Sequence, residues 1–303
     1  MRLPILLASL LLPVAALAQA PSPLPPTAAR LEPFRLGQLK VWTLQDGQIS
    51  LPAALLKGID PAEAKGMLGG KDAAPTPVNA YLVRMPGKTV LVDTGIGKAP
   101  DENSGHLGEQ LAAAGVAPVD IDLVLITHFH FDHIGGLLKA DGTRAFPKAR
   151  LLVPRLEQTY WLQDPAQLPE RFRERIPKVK AILAAYEGAG ALGAFEDGAE
   201  LAPGLRALAA HGHTDGHTVY AFTSEGRELW CLGDLIHFGA VQFARPEVGV
   251  TFDLDSPKAI QSRQDLFRKA AQAHVVLAGA HLPQLVRLEV RGNGYTAVPV
   301  AQP

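Results

Sequence analysis

Cysteine is nearly absent: Cys231 is the single one in 303 residues, so no internal disulfide can staple the chain and a packed core has to hold it together. Its neighbours Leu229-Trp230-Leu232 suit a buried strand residue better than a metal thiolate. Charge is also scarce. Only 19% of residues are charged, the formal net charge is -1, and no run of like sign occurs, which excludes the electrostatic footprint of a nucleic-acid or polyanion binder. A small, roughly neutral substrate fits such a surface better. Long hydrophobic runs are missing too, and no stretch reaches the length of a membrane span.

The nearest approach to such a run is the N-terminus. Arg2 precedes a short apolar stretch ending in Ala16-Leu17-Ala18-Gln19-Ala20, the pattern of a secretory signal. Residues 1–18 are therefore expected to be removed, with cleavage after Ala18 or Ala20, leaving a periplasmic or secreted protein free of the membrane. Residues 19–33, rich in Pro, Ser and Ala, read as a flexible arm. Residues 34–303 read as one domain, since 47% hydrophobic residues supply ample core for that length.

Within that domain, strands in hairpins alternate with helices. Leu39 to Leu44 and Ile49 to Leu51 flank an Asp46-Gly47 pair suited to a hairpin turn. Tyr81 to Met85 and Thr89 to Val92 flank Pro86-Gly87. A helix near Leu107 to Ala114 precedes a strand at Leu123 to Ile126, and Arg150 to Val153 leads into a helix around Trp161. Residues 164–187, with an Ala/Leu-rich helix, are placed to cover one side of a site. Later come a strand at Leu205 to Ala210, the hairpin Val219 to Phe222 with Glu228 to Leu232, a helix capped by Ser256 with Pro257 at its first position, a strand at Val275 to Leu277 and a hairpin through Arg291-Gly292-Asn293-Gly294. Such an order indicates two mixed or mostly antiparallel sheets inside and helices outside.

The chemistry concentrates in His128-Phe129-His130-Phe131-Asp132-His133. Three imidazoles and a carboxylate directly after an apolar strand form a metal-ligand pattern, and a turn there can aim His128 and His130 at one ion and Asp132 and His133 at another. One short motif cannot complete either coordination sphere. The missing donors are expected at other strand ends: His217 in His213-Thr214-Asp215-Gly216-His217, Asp234 in Gly233-Asp234, and His281 in Gly279-Ala280-His281. Glycines beside them allow close approach of backbone and metal.

This succession, with the Asp93-Thr94-Gly95 turn before it, resembles the metallo-β-lactamase-fold hydrolases from about residue 35 to the end. Gly233-Asp234-Leu235-Ile236, Ala240-Val241-Gln242-Phe243, Asp253-Leu254-Asp255-Ser256 and the tail from Gly292 to Val300 are similar to the methyl parathion hydrolase branch. The resemblance implies an α+β fold, a four-layer αββα sandwich, and two divalent metal ions, zinc in the first instance. It implies that His128, His130 and His217 hold one ion, that Asp132, His133 and His281 hold the other, and that Asp234 bridges them. A hydroxide shared by the metals would then attack a neutral ester, whether organophosphate triester, lactone or aryl ester. Asp132 and Asp234 would orient it or pass a proton to the leaving group.

Asp215 stands where proline is common in the family's turn, and His213 is expected only to steady that turn or support the ligands. Trp161, His237, Phe238 and Phe243 are the candidates for the substrate pocket, whereas Phe129 and Phe131 are expected to pack in the core behind the motif. A β-lactamase and a catalytically silent metal-binding module are the competing readings. The oligomeric state stays open, a homodimer included.

Overall fold

The computed structural model describes residues 30–97 and 103–301. The expected signal and most of the expected arm lie outside the described residues. Leu31, within the stretch read as a loose arm, is anchored: its N–H donates to Ala113 O and its carbonyl accepts from Trp42 Nε1, both at 3.0 Å.

The first half of the chain builds strands β1 (Phe34–Leu36), β2 (Leu39–Pro52), β3 (Leu56–Lys57), β4 (Ala73–Met85), β5 (Lys88–Val92), β6 (Leu123–Leu125), β7 (Arg150–Pro154) and β8 (Leu192–Phe195). Helices α1 (Pro61–Met67), α2 (Leu107–Ala113), α3 (Phe131–Ile134), α4 (Arg155–Leu162), α5 (Glu170–Arg173) and α6 (Ile176–Glu187) lie between them. The second half contributes β9 (Glu200–Ala202), β10 (Leu205–Ala209), β11 (Thr218–Ser224), β12 (Arg227–Gly233), α7 (Gly239–Gln242), β13 (Gly249–Val250), α8 (Ser256–Gln272), β14 (Val276–Gly279), β15 (Val286–Arg291) and β16 (Gly294–Pro299).

Two seven-stranded sheets result, ordered β1-β2-β4-β5-β6-β7-β8 and β16-β15-β14-β12-β11-β10-β9, while β3 pairs with β13 separately. Both large sheets are mixed: β5 to β8 run parallel to one another and β12 runs parallel to β14, with antiparallel pairs elsewhere. The side-chain period of two explains the layering. Val41, Val83, Val90 and Val92 on the first sheet meet Leu205, Ala207, Phe222 and Val276 on the second in a shared core. The alternate residues Trp42, Leu82, Leu91 and Val124 pack outward against α2, α4 and α6, through Leu111, Trp161 and Ile182. On the far side, Val219, Ala221 and Leu277 pack against Leu266, Phe267 and Ala270 of α8. The order helix, sheet, sheet, helix is the expected αββα sandwich.

The Asp46-Gly47 pair does not turn the chain. β2 runs unbroken through it and pairs along its length with β4, with a register shift between Gln45 and Gly47. Asp46 is the extra residue of a bulge, and the bulge turns its carboxylate to a task no hairpin would need. Asp46 Oδ2 accepts from Ile96 N at 2.8 Å and Oδ1 from Leu107 N at 2.9 Å, holding the start of α2 and the loop after Asp93. The α8 cap also moves by one residue, since Asp255 Oδ1 accepts from Lys258 N at 3.1 Å and Ser256 is already helical.

Candidate metal centre

Strand ends deliver the ligand-type side chains. β6 leads into Thr127 and His128; His130 immediately precedes α3, whose first turn carries Asp132 and His133; His213 lies in the turn between β10 and β11; Asp234 follows β12; His281 follows β14. Gly233 before Asp234 has φ of 52°, and a Cβ there would stand 2.6 Å from His217 Nε2, so glycine alone fits this closely packed step.

Two groups of donors form. His128, His130, His213 and Asp234 make one, and Asp132, His133, Asp234 and His281 make the other, with the donor atoms of each group within 4.8 Å of one another. Asp234 belongs to both because its oxygens divide. Oδ2 lies 3.5 Å from His128 Nε2 and 3.2 Å from His213 Nε2, whereas Oδ1 lies 3.0 Å from His133 Nε2 and 3.2 Å from His281 Nε2. Asp132 Oδ2 completes the second group at 3.5 Å from His281 Nε2 and 3.6 Å from His133 Nε2.

Protein hydrogen bonds do not satisfy this cluster. His128 Nε2, His133 Nε2 and Asp234 Oδ1 are buried without a hydrogen-bond partner, a costly state unless a cation completes them, while His130 turns Nδ1 to the cluster, 2.9 Å from His213 Nε2. Burial, reinforced by the neighbouring imidazoles, drives His128 and His130 well below the ordinary histidine pKa, so they stand neutral with free lone pairs. Against the same burial, Asp234 and Asp132 hold His133 well above it, and Asp234 raises His281. Despite its own burial, Asp234 is held well below the usual carboxylate range by His133, His281 and His237. An anionic centre lined by imidazoles that either stand neutral or need a proton to balance it fits divalent cations.

His213, not His217, completes the first group. Both nitrogens of His217 are committed: Nδ1 donates to Ala210 O at 3.0 Å, and Nε2 accepts the Asp234 N–H at 2.9 Å. Burial pushes its pKa down to about 3, so it is a neutral imidazole that locks the β10–β11 turn to the residue that divides its carboxylate. The ligand role that the resemblance assigned to His217 passes to His213, four residues earlier, whose Nε2 points inward while Nδ1 meets Asp253 Oδ1 at 3.0 Å. Asp215, the departure from the family's proline, is exposed and leaves this turn in place.

The other imidazoles are oriented in the same way, by a partner on the outer nitrogen. His281 Nδ1 donates to Pro77 O at 3.0 Å, and His133 Nδ1 meets Asp93 Oδ2 at 2.8 Å. Asp93 also accepts from Thr127 N and Thr127 Oγ1, at 2.8 and 2.9 Å, and does so from a left-handed backbone with φ of 60°. Such strain in a non-glycine residue persists where surrounding contacts over-determine it.

Glu157 on α4 was missed by sequence reasoning. Its Oε1 accepts from Phe129 N at 2.8 Å and Trp161 Nε1 at 2.7 Å, and its Oε2 from Thr214 Oγ1 at 2.7 Å and Gly216 N at 3.1 Å. One buried carboxylate thus ties the His128–His133 loop to the His213–His217 turn. A Cβ on Gly216 would come within 2.2 Å of Glu157 N, which explains the glycine there. The i, i+4 spacing of Glu157 and Trp161 was the only hint in the sequence.

The model of the metallo-β-lactamase superfamily matches residues 73–281. The chain belongs to that superfamily. It resembles the solved structure of the hydrolase AbOPH of the beta-lactamase superfamily, at 27% identity and a TM-score of 0.84 over 91% of this chain and 99% of that one. It resembles equally AidC, a dizinc quorum-quenching lactonase, at 28% identity and a TM-score of 0.82 over 90% and 98% of the two chains. Among curated proteins it is 30% identical over 159 residues to the N-acyl homoserine lactonase AiiB of Agrobacterium fabrum, and 35% identical over 134 residues to the mouse metallo-beta-lactamase domain-containing protein 1. These alignments cover 46% and 44% of this chain, and the chain spans 55% and 45% of those two relatives, about half of each.

Beside the donors, a cavity of about 450 Å³ opens between Ile49, Leu51 and Ile96 on one side and Phe131, Phe172 and Phe252 on another, with Arg171, Arg175 and His237 also facing it. Of the four substrate candidates, His237 lines this space, its Nε2 3.1 Å from Asp234 Oδ2. The other three do not. Trp161 is fully buried behind the site, bound to Glu157; Phe238 packs with Leu51, Val241 and Val248; Phe243 packs on Phe267 beneath α8. Phe129 is core as expected, but Phe131 is 37% exposed and faces the cavity. A residue at the start of a one-turn helix is turned to solvent on the side away from the sheet, which alternation along the motif could not reveal.

Proposed function

We propose that this superfamily hydrolase is a binuclear, zinc-dependent esterase of the lactonase type, with organophosphate triesters, in keeping with its resemblance to the methyl parathion hydrolase branch, as a further substrate. The observation that carries the proposal is the division of Asp234, one oxygen toward His128 and His213 and the other toward His133 and His281. A carboxylate placed in this way suits a bridge between two ions, with His130 completing the first set and Asp132 the second. The lactonases among its relatives, one of them described as dizinc, support the metal and the substrate class. Bound at such a site, a pair of divalent ions supplies Lewis-acid polarisation of a carbonyl or phosphoryl oxygen and lowers the pKa of water.

The chain's own residues do the rest. Ile49, Leu51, Ile96 and Phe252 form apolar walls that hold the substrate body and exclude bulk water. Asp132 is the one ligand-type carboxylate with appreciable exposure, its side chain 23% accessible, and it is placed to hold or release a proton at the cavity wall. His237, with Nδ1 lacking a partner and Nε2 on Asp234, steadies that carboxylate from the cavity side. Export through the N-terminal signal to a periplasmic location belongs to the same proposal.

The test is a parallel rate comparison on zinc-loaded enzyme of a lactone, an aryl ester, an aryl phosphotriester and a β-lactam, together with zinc analysis. Two zinc ions per chain are expected, with the lactone or aryl ester turned over fastest and activity lost on chelation. A β-lactam turned over fastest, or full activity after the metal is stripped, would overturn the reading.

A further inference from the structure

The cavity that receives the substrate is not electrostatically neutral at its mouth. Arg171 and Arg175 both line it, and neither forms an ion pair among the described residues, although Glu170 and Glu174 adjoin them in the chain. Their guanidiniums are held on an aromatic ring. Arg171 Cζ lies 4.7 Å and Arg175 Cζ 5.6 Å from the centroid of Phe172, and Phe172 in turn stacks on His130 at 5.5 Å. The ammonium of Lys178 sits 4.1 Å from the ring centroid of Phe131, which also faces the cavity. Three cations on one segment, α5 to the start of α6, are therefore fixed by cation–π contacts to the two rings beside the metal ligands.

Unpaired guanidiniums turned to a substrate cavity are forks for a carboxylate. We infer that the substrate carries a fixed anionic group, a carboxylate, at the end remote from the scissile ester, and that Arg171 and Arg175 receive it. The inference rests on the esterase reading and narrows it: the apolar walls hold the middle of the molecule, the Asp234 centre faces its ester, and the guanidiniums face its charged end. It departs from the expectation of a neutral substrate, since a chain with net charge near zero can still concentrate one sign at one opening.

The matched probes are 4-nitrophenyl hydrogen adipate and 4-nitrophenyl hexanoate, which share the acyl chain and leaving group and differ in the terminal carboxylate. On zinc-loaded wild type, kcat/KM for the adipate should exceed that for the hexanoate by about tenfold at low salt, mainly through KM, and the advantage should shrink as ionic strength rises. In the R171Q/R175Q double variant the ratio should fall to about one, while R171K/R175K, which keeps the charge, should retain most of it. Calorimetric binding of the slowly hydrolysed 4-nitroanilides of the same two acids, to the same proteins, reads recognition without turnover. An adipate preference that survives in R171Q/R175Q, or its absence in the wild type, overturns the inference. Hydrolysis of neither ester, together with arginine-dependent binding of the anionic anilide, would leave anion recognition standing and overturn the esterase reading instead.

Discussion

Replacing Glu157 with glutamine probes how the centre is held together without touching any donor. The carboxylate accepts four hydrogen bonds, two at each oxygen. An amide offers one accepting oxygen and one donating nitrogen. Phe129 N and Trp161 Nε1 can only donate, so the amide oxygen has to face them and the NH2 group faces Thr214 and Gly216. The Thr214 hydroxyl can rotate to accept, but the Gly216 N–H then meets a donor and is left buried without a partner. Losing one bond to a charged acceptor costs about 1.5 to 3 kcal/mol, and the neutral amide recovers part of that through easier burial. A net loss of about 2 kcal/mol is expected, read as a lower urea midpoint at unchanged m. Because Thr214 adjoins His213 and Phe129 lies between His128 and His130, zinc affinity measured by chelator competition should fall by about 10- to 100-fold. E157Q with stability within about 0.5 kcal/mol of wild type and unaltered zinc affinity would refute the idea that this carboxylate aligns the two loops.

The two histidines of the β10–β11 turn should separate cleanly. His213→Ala should remove about one zinc per chain and leave the protein folded, whereas His217→Gln should lower stability by disturbing the contacts to Ala210 O and Asp234 N; zinc analysis and urea titration of both variants check this, and the reverse pattern would restore His217 as the ligand. In metal-free protein, His217 has its folded pKa pushed by burial to about 3, below its unfolded value, so the unfolded chain binds the extra proton: its contribution to stability is present above the unfolded pKa and is lost as pH falls toward about 3, with a slope of at most ~1.4 kcal/mol per pH unit. His217→Gln should flatten the urea-midpoint profile in that window, and an unchanged slope would show that the imidazole is not buried neutral. Asp93→Ala should cost about 10- to 100-fold in affinity for zinc, since His133 loses the partner on its outer nitrogen; equal affinity in a chelator titration would contradict that role. Cys231, 1% exposed and with its thiol pKa driven up by burial, should resist an aromatic disulfide reagent until urea unfolds the chain, and rapid labelling of the native protein would place it elsewhere.

Much of the fold was legible because it follows from local periodicity and punctuation. The apolar runs Tyr81–Met85 and Thr89–Val92 around Pro86-Gly87 became the β4–β5 hairpin with Met85 opposite Lys88, and Arg291 to Gly294 turned β15 into β16. Asp46-Gly47 misled for the same reason: the pair carries an equal local signal for a turn and for a bulge, and the choice depended on β4 being long enough to pair across it. Six of the seven expected donors entered the two groups, because strand ends beside glycines mark where a ligand can approach. His213 and His217 are alike in the sequence, and the Ala210 carbonyl and the Asp234 N–H, which occupy both nitrogens of one and neither of the other, come from outside the local motif.

Residue order alone sets the chemistry available: a carboxylate- and imidazole-rich set at strand ends, in an order that belongs to one superfamily and its αββα sandwich. Which of those groups face one another was decided only by tertiary structure. The division of Asp234 between two sets, the four hydrogen bonds that close on Glu157, and the placing of Arg171 and Arg175 at the cavity mouth each join elements far apart in the chain. Their geometry is set by the packing of two sheets and the helices on them, and no local pattern of residues carries that information.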